Sequence, residues 1–210
     1  MSIEADIDSS IVYKTMINFE QIKGKQGVPM RFTPTTIPAV IVIEPKVSAD
    51  ERGFFLESYQ KQRFSEAGIP FDFVQDNHSK SEQGVLRGLH YQIQQAQGKL
   101  VRVIAGEIFD VAVDIRKNSP TFGKWVGDFL SAENRKMLWV SPGFAHGFYV
   151  TSPTTEVLYK ATDYYAPQWE RTIAWNDPAI NIDWPTNGIP PMLSPKDEAG
   201  KFLNEAEVFG

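Results

Sequence analysis

The residues predict an all-β fold, a sandwich or barrel made of many short strands. Short runs rich in β-branched and aromatic residues recur along the chain, each bounded by Gly, Pro, Asn or Ser. Glu107 to Ile115 alternates, with Phe109, Val111, Val113 and Ile115 on one face and Asp110 and Asp114 on the other. Aromatic residues make up 12% of the chain, and aromatics both favour strands and line ligand pockets.

The elements follow in order. Residues 1–37 read as an irregular N-terminal extension, because Gly24 to Pro29 and Thr33 to Pro38 interrupt any regular element with Gly and Pro. Residues 38–210 form one domain. Its first strand is the β-branched run Ala39 to Ile43, and Phe54 to Tyr59 is the next candidate. Tyr59 to Ala67 reads as a short helix stopped by Gly68 and Pro70. Strands are expected at Lys99 to Ala105, Glu107 to Ile115, Leu138 to Val140, Gly147 to Thr151, Glu156 to Ala161 and Thr172 to Trp175. Ser131 to Asn134 resembles one capped helical turn. A Pro-rich stretch after Pro185 leads to a short helix expected from about Asp197 to Ala206.

Composition narrows the function classes. A net charge of -5 and the lack of any Lys/Arg run argue against nucleic-acid binding. The chain has no cysteine, which rules out disulfides, zinc–thiolate sites, Fe–S clusters and a cysteine nucleophile, and points to the cytoplasm. The first residues carry no basic segment followed by an apolar one, and no stretch reaches the length of a membrane span, so neither secretion nor membrane insertion is expected. There is no Gly-rich dinucleotide fingerprint, phosphate loop or nucleophile elbow.

The chemistry must therefore come from a few side chains. Three histidines are present. His90 lies in Gly84-Val-Leu-Arg-Gly-Leu-His-Tyr-Gln92 and His146 in Pro142-Gly-Phe-Ala-His-Gly-Phe148. Both segments are strand-like, aromatic-flanked and glycine-bearing, a context suited to a ligand. Imidazole is the usual general base near neutral pH. His78 lacks this context and is expected on the surface. A metal site is not expected: Leu89 and Tyr91 flank His90, position 92 is Gln, and a ligand set would have to recruit the distant His146. Arg52, Arg87 and Lys99 are either solvated surface charges or a cluster around an anionic group such as a diphosphate. Spacing alone leaves that choice open.

An ordered series of segments resembles one family. It runs through Glu51-Arg-Gly-Phe-Phe-Leu-Glu57, Gln75-Asp-Asn77, the His90 segment, Lys99-Leu-Val-Arg-Val103 and Gly106-Glu-Ile-Phe-Asp-Val-Ala-Val-Asp-Ile-Arg116. Ser119-Pro-Thr-Phe-Gly123, the His146 segment, Tyr159-Lys160, Trp175-Asn-Asp-Pro178 and Leu193-Ser-Pro-Lys-Asp197 complete it. From about Pro38 to Ala206 the chain resembles the dTDP-4-dehydrorhamnose 3,5-epimerases. The resemblance implies a cupin-type jelly roll with a few short helices, a homodimer, and no metal or organic cofactor. It implies a dTDP-linked 4-keto-6-deoxyhexose as substrate, inverted at C3 and C5 on the route to dTDP-L-rhamnose. Both carbons flank a ketone, so removing either proton leaves an enolate. Such a reaction needs a base, an acid on the opposite face and a positive group at the ketone oxygen.

By resemblance His90 is the base, Asp197 its carboxylate partner, Tyr159 the acid and Lys99 the group at the enolate oxygen. Arg52, Glu57, Gln75, Asp76, Asn77, Arg87, His146, Glu170 and Lys196 match positions that hold the nucleotide sugar. Two departures stand out: the long extension, and Trp169 where the family more often has a smaller polar residue. Rival readings are an epimerase that inverts one carbon, a keto-isomerase of another nucleotide-linked sugar, a non-catalytic sugar-binding jelly roll, and a metal-dependent cupin.

Overall fold

The computed structural model describes residues 30–210. Two antiparallel sheets face each other. The first holds six strands in the order β1 (Arg31–Pro34), β2 (Val40–Glu44), β10 (Met137–Val140), β7 (Lys99–Ala105), β12 (Thr154–Ala161) and β5 (Gln75–Glu82). The second holds five, in the order β13 (Glu170–Thr172), β6 (Leu86–Gln92), β11 (Phe144–Val150), β8 (Glu107–Asp114) and β9 (Trp125–Ser131). A separate hairpin pairs β3 (Val47–Asp50) with β4 (Gly53–Leu56). This is the expected jelly roll.

Three apolar clusters follow from strand alternation. Between the sheets, Val40, Val101, Leu138, Val140 and Val157 meet Ile108, Ala112, Leu130, Phe144, Phe148 and Val150. The outer face of the five-stranded sheet presents Leu89, Tyr91, Phe109, Val111 and Val113, and the chain after β13 covers it with Ile180 and Trp184. The outer face of the six-stranded sheet offers Ile41, Ile43, Leu100, Met137 and Trp139 to α1 (Lys61–Glu66). That helix forms because the Gln60 side chain accepts from the Arg63 N–H at 2.6 Å, and because Phe64 anchors it between the rings of Phe32 and Tyr59.

Both faces of β8 are buried, so the polar side of its alternation is interior rather than solvent. The last part of the segment read as an extension enters the sheet: Arg31–Pro34 pair with Ile41–Glu44 as an edge strand, where Pro34 is tolerated. Residues 1–29, which carry the rest of that reading, lie outside the described residues. Two helical expectations are corrected. Ser131 to Asn134 is a turn, in which each side chain bonds the other's backbone N–H at 3.0 Å. The C-terminal helix is only α2 (Pro195–Glu198), because Lys201 leaves it to bridge Ile173 and the Leu203 N–H bonds Asp177. The polar strand β5 escaped the sequence reading because its core-facing positions carry no apolar signal.

Candidate active site

A cleft of about 330 Å³ opens between the sheets, within the size range of small-molecule sites. Its walls are built by strand register. On the five-stranded side, His90 of β6 sits opposite His146 of β11. Leu89 and Tyr91, its neighbours, pack outward, so His90 points inward. Glycines allow the two strands to approach: a Cβ on Gly88 would lie 2.5 Å from Gly147 Cα, and one on Gly147 would lie 2.7 Å from the Arg87 carbonyl oxygen. On the six-stranded side, Tyr159 pairs with both Val101 and Asn77, and Ala161 with both Lys99 and Gln75. Tyr159, Lys99, Gln75 and Asn77 therefore share the wall that faces His90.

The His90 Nε2 lies 2.6 Å from Asp197 Oδ1. Asp197 is buried at the third position of α2, and Ser194 caps that helix in a reciprocal capping box. Its carboxylate is held by four donors in all: His90 and the Gly88 N–H at 3.1 Å on Oδ1, and the Ser194 hydroxyl at 2.5 Å and N–H at 3.3 Å on Oδ2. Burial pushes this carboxyl up, but the bonds from His90, Ser194 and Gly88 outweigh it and hold Asp197 well below the usual carboxylate range. His90 is shifted down, first by burial and then by the charges of Lys196 and Lys99, against the opposing pull of Asp197. A neutral imidazole at neutral pH is the form a base requires.

Burial brings the Lys99 ammonium down to about 8, with Asp110 and Glu170 opposing the shift. Among the described residues its only hydrogen bond is a long one, 3.5 Å, to the His90 carbonyl. Burial raises the Tyr159 phenol. At the mouth, Glu170 accepts from Lys196 at 2.8 Å and from the Tyr165 hydroxyl at 3.0 Å. Arg87 borders the cleft and reaches Ser81 Oγ at 3.1 Å.

Ten of the thirteen expected residues thus converge: His90, Asp197, Tyr159, Lys99, Gln75, Asn77, Arg87, His146, Glu170 and Lys196. Three do not. The Asp76 side chain falls on the other face of β5 by strand alternation and pairs with Lys160 at 2.9 Å. Glu57 pairs with Arg63 at 3.0 Å beside α1. Arg52 sits at the tip of the β3–β4 hairpin, exposed and bound to Asp50 at 2.6 Å. His78 is on the surface, 3.1 Å from Glu156. Trp169 lies in a 3-10 turn outside the cleft lining. Sequence reasoning missed Ser79, Gln92, Gln97 and Tyr165 as lining residues, and Asp110 behind the wall. The period-two pattern Gln75, Asn77, Ser79 was the available signal for one of them.

The family model described as dTDP-4-dehydrorhamnose 3,5-epimerase matches residues 34–205. The chain belongs to this family. It is 59% identical over 181 residues to the dTDP-4-dehydrorhamnose 3,5-epimerase of Pseudomonas aeruginosa, spanning 86% of this chain and 99% of that one. A crystal structure of dTDP-6-deoxy-D-glucose-3,5-epimerase from Legionella pneumophila, in complex with dTDP-4-keto-L-rhamnose, superposes with a TM-score of 0.83 at 57% identity. It covers 85% of this chain and 95% of that one. A 3'-monoepimerase from Streptomyces bikiniensis, in complex with dTDP-quinovose, is more distant: TM-score 0.77 and 31% identity, covering 82% of this chain and 87% of that one. The fold is the family's jelly roll and the chain is an epimerase. No helix among the described residues is long and apolar enough to cross a membrane.

Proposed function

We propose that the cleft binds a dTDP-linked 4-keto-6-deoxyhexose and inverts C3 and C5, with His90 as base and Tyr159 as acid. The observation that carries this assignment is His90 on one sheet, paired with Asp197 of α2, and Tyr159 on the facing sheet. The Asp197 carboxylate accepts a hydrogen bond from the N–H at His90 Nε2, fixing the tautomer that leaves Nδ1 basic. His90 removes the proton from a carbon beside the ketone, and the bonding pair moves into the enolate with charge on oxygen. Lys99 donates to that oxygen from an ammonium whose hydrogens are largely uncommitted among the described residues. The enolate then takes a proton from Tyr159 on its other face. His90 gives its proton to solvent and Tyr159 regains one from it, repetition at the second carbon completes the double inversion, and no redox partner enters the balance. Arg87, Lys196 and His146 hold the anionic part of the ligand, with Gln75, Asn77 and Glu170 around it.

A homodimer belongs to the same proposal. The hairpin carrying Arg52 leaves Phe54 and Phe55 exposed at 54% and 75%, away from the cleft of its own chain. A second copy covering those rings gives Arg52 a cleft to enter. Mixing Arg52→Ala with His90→Ala subunits tests this, since mixed dimers with one intact site recover activity only if Arg52 acts across the pair. The cytoplasm is the proposed compartment, on the cysteine-free composition.

The deciding experiment incubates the protein with dTDP-4-keto-6-deoxyglucose in heavy water and follows C3 and C5 by NMR. Exchange with inversion at both carbons is expected. Exchange at one carbon makes it a single-carbon epimerase, and binding without exchange makes it a sugar-binding jelly roll.

A further inference from the structure

Asp110 lies on β8 directly behind the cleft wall and is fully buried. Its Oδ1 is 2.8 Å from His146 Nε2. Its Oδ2 is buried and has no hydrogen-bond partner among the described residues. A buried carboxylate with an unpaired oxygen opposes folding unless a nearby positive charge offsets it. The alternative at this position is apolar, since Ile108 and Ala112 on the same face of the strand sit in the core.

Two cleft groups respond to this charge: His146 by direct contact, and Lys99 through the charge alone. His146 lines the cleft, and with Nε2 turned inward to Asp110 only Nδ1 is left for a ligand. Lys99 also lines the cleft, yet among the described residues it forms no salt bridge, and its ammonium makes only the 3.5 Å contact with the His90 carbonyl. A carboxylate in direct contact would occupy the donors that a substrate oxygen needs. One placed a layer deeper offsets the ammonium charge and leaves the donors free.

We propose that Asp110 is a positioning residue for the reaction, orienting His146 by accepting from Nε2 and serving as the buried counter-charge of Lys99. The inference rests on the reading of this cleft as the epimerase site. The titratable side chains that line the cleft together with Lys99 include Glu170 on β13, Lys196 on α2, His90 and Arg87 on β6, His146 on β11, Tyr159 on β12, and Tyr165. Asp110 is the leading group that favours the ammonium, ahead of Glu170, while Lys196 opposes it. Lys99 titrates at about 8, and its charge is lost as pH rises through that value. Removing Asp110 moves the loss to lower pH.

The test compares wild type with Asp110→Asn, which keeps the shape, and Asp110→Ser, a second neutral side chain in case the amide packs poorly. Two quantities are read. One is the alkaline limb of kcat for epimerisation. The other is the pH midpoint of Lys99 acetylation by acetic anhydride, quantified by mass spectrometry, which needs no turnover. In a folded variant, both midpoints are expected to move to lower pH, and kcat near neutrality to fall roughly 10–100-fold, the usual effect of losing a partner behind a functional histidine. Unshifted midpoints in a folded variant overturn the proposal, because packing damage alone lowers kcat without moving the lysine titration. If wild type itself fails to epimerise, the site reading fails, while the acetylation midpoint still decides the role of Asp110 toward Lys99.

Discussion

Replacing Asp197 by Asn separates the chemistry of the dyad from its architecture. The carboxylate takes four donors, two on each oxygen. Asparagine keeps the shape. Its oxygen can stay on His90 and the Gly88 N–H while its amide turns to the Ser194 hydroxyl, which can accept. Only the Ser194 N–H then loses a partner, and the remaining bonds lose their ionic character. Charge-assisted bonds contribute about 1.5–3 kcal/mol and neutral ones about 0.5–1.5, so a loss of roughly 1–3 kcal/mol is expected, short of unfolding. The rate effect is larger. Without the anion, His90 is no longer held as the more basic tautomer, and a positioned general base contributes about 10²–10⁴ in rate. Deuterium exchange at C3 and C5, followed by NMR, should therefore slow by that factor while thermal denaturation still shows a cooperative transition. A folded Asp197→Asn protein that exchanges both protons at the wild-type rate would refute the dyad. The same carboxylate makes stability depend on acid. Its pKa is depressed on folding, so its contribution is complete above the unfolded value of about 4 and is lost as pH falls below it toward the folded value. Urea denaturation midpoints should drop over that window in wild type and less so in Asp197→Asn.

Other perturbations have equally specific outcomes. Tyr159→Phe keeps the ring in its packing against the core and removes only the hydroxyl, so exchange should continue while inversion fails; equal loss of both moves Tyr159 out of the acid role. Arg87→Ala should raise KM more than it lowers kcat, because a charge that holds the anionic end acts alike in ground and transition states; a pure kcat loss in steady-state kinetics places it at the enolate. Treatment with EDTA should leave turnover unchanged, and activity restored by an added divalent ion would reverse that expectation. Wild-type kcat should keep its plateau below pH 6.5, because burial holds His90 below the ordinary imidazole value and keeps it neutral; a pH–rate profile that falls earlier contradicts this.

Much of the candidate site is legible in the sequence. The ordered motifs named His90, Tyr159, Lys99 and Asp197, and the alternation of Phe109, Val111 and Val113 marked a buried strand face. What spacing could not supply was pairing across long separations. His90 and Asp197 are 107 residues apart in the chain, and they meet because the C-terminal segment folds back over the five-stranded sheet. Strand pairing also decided which neighbours were real. Gln75 and Asn77 reach the cleft, while Asp76 between them points away to Lys160. Asp110 looked like the polar side of an amphipathic strand and is instead an interior residue with one oxygen unpaired among the described residues. The sequence by itself determined the side-chain chemistry and the tendency of each run to be a strand, because those depend on composition and local period. Only the tertiary structure decided which face of each strand met water, core or substrate, because a side chain's surroundings are set by the register of strands far apart in the chain.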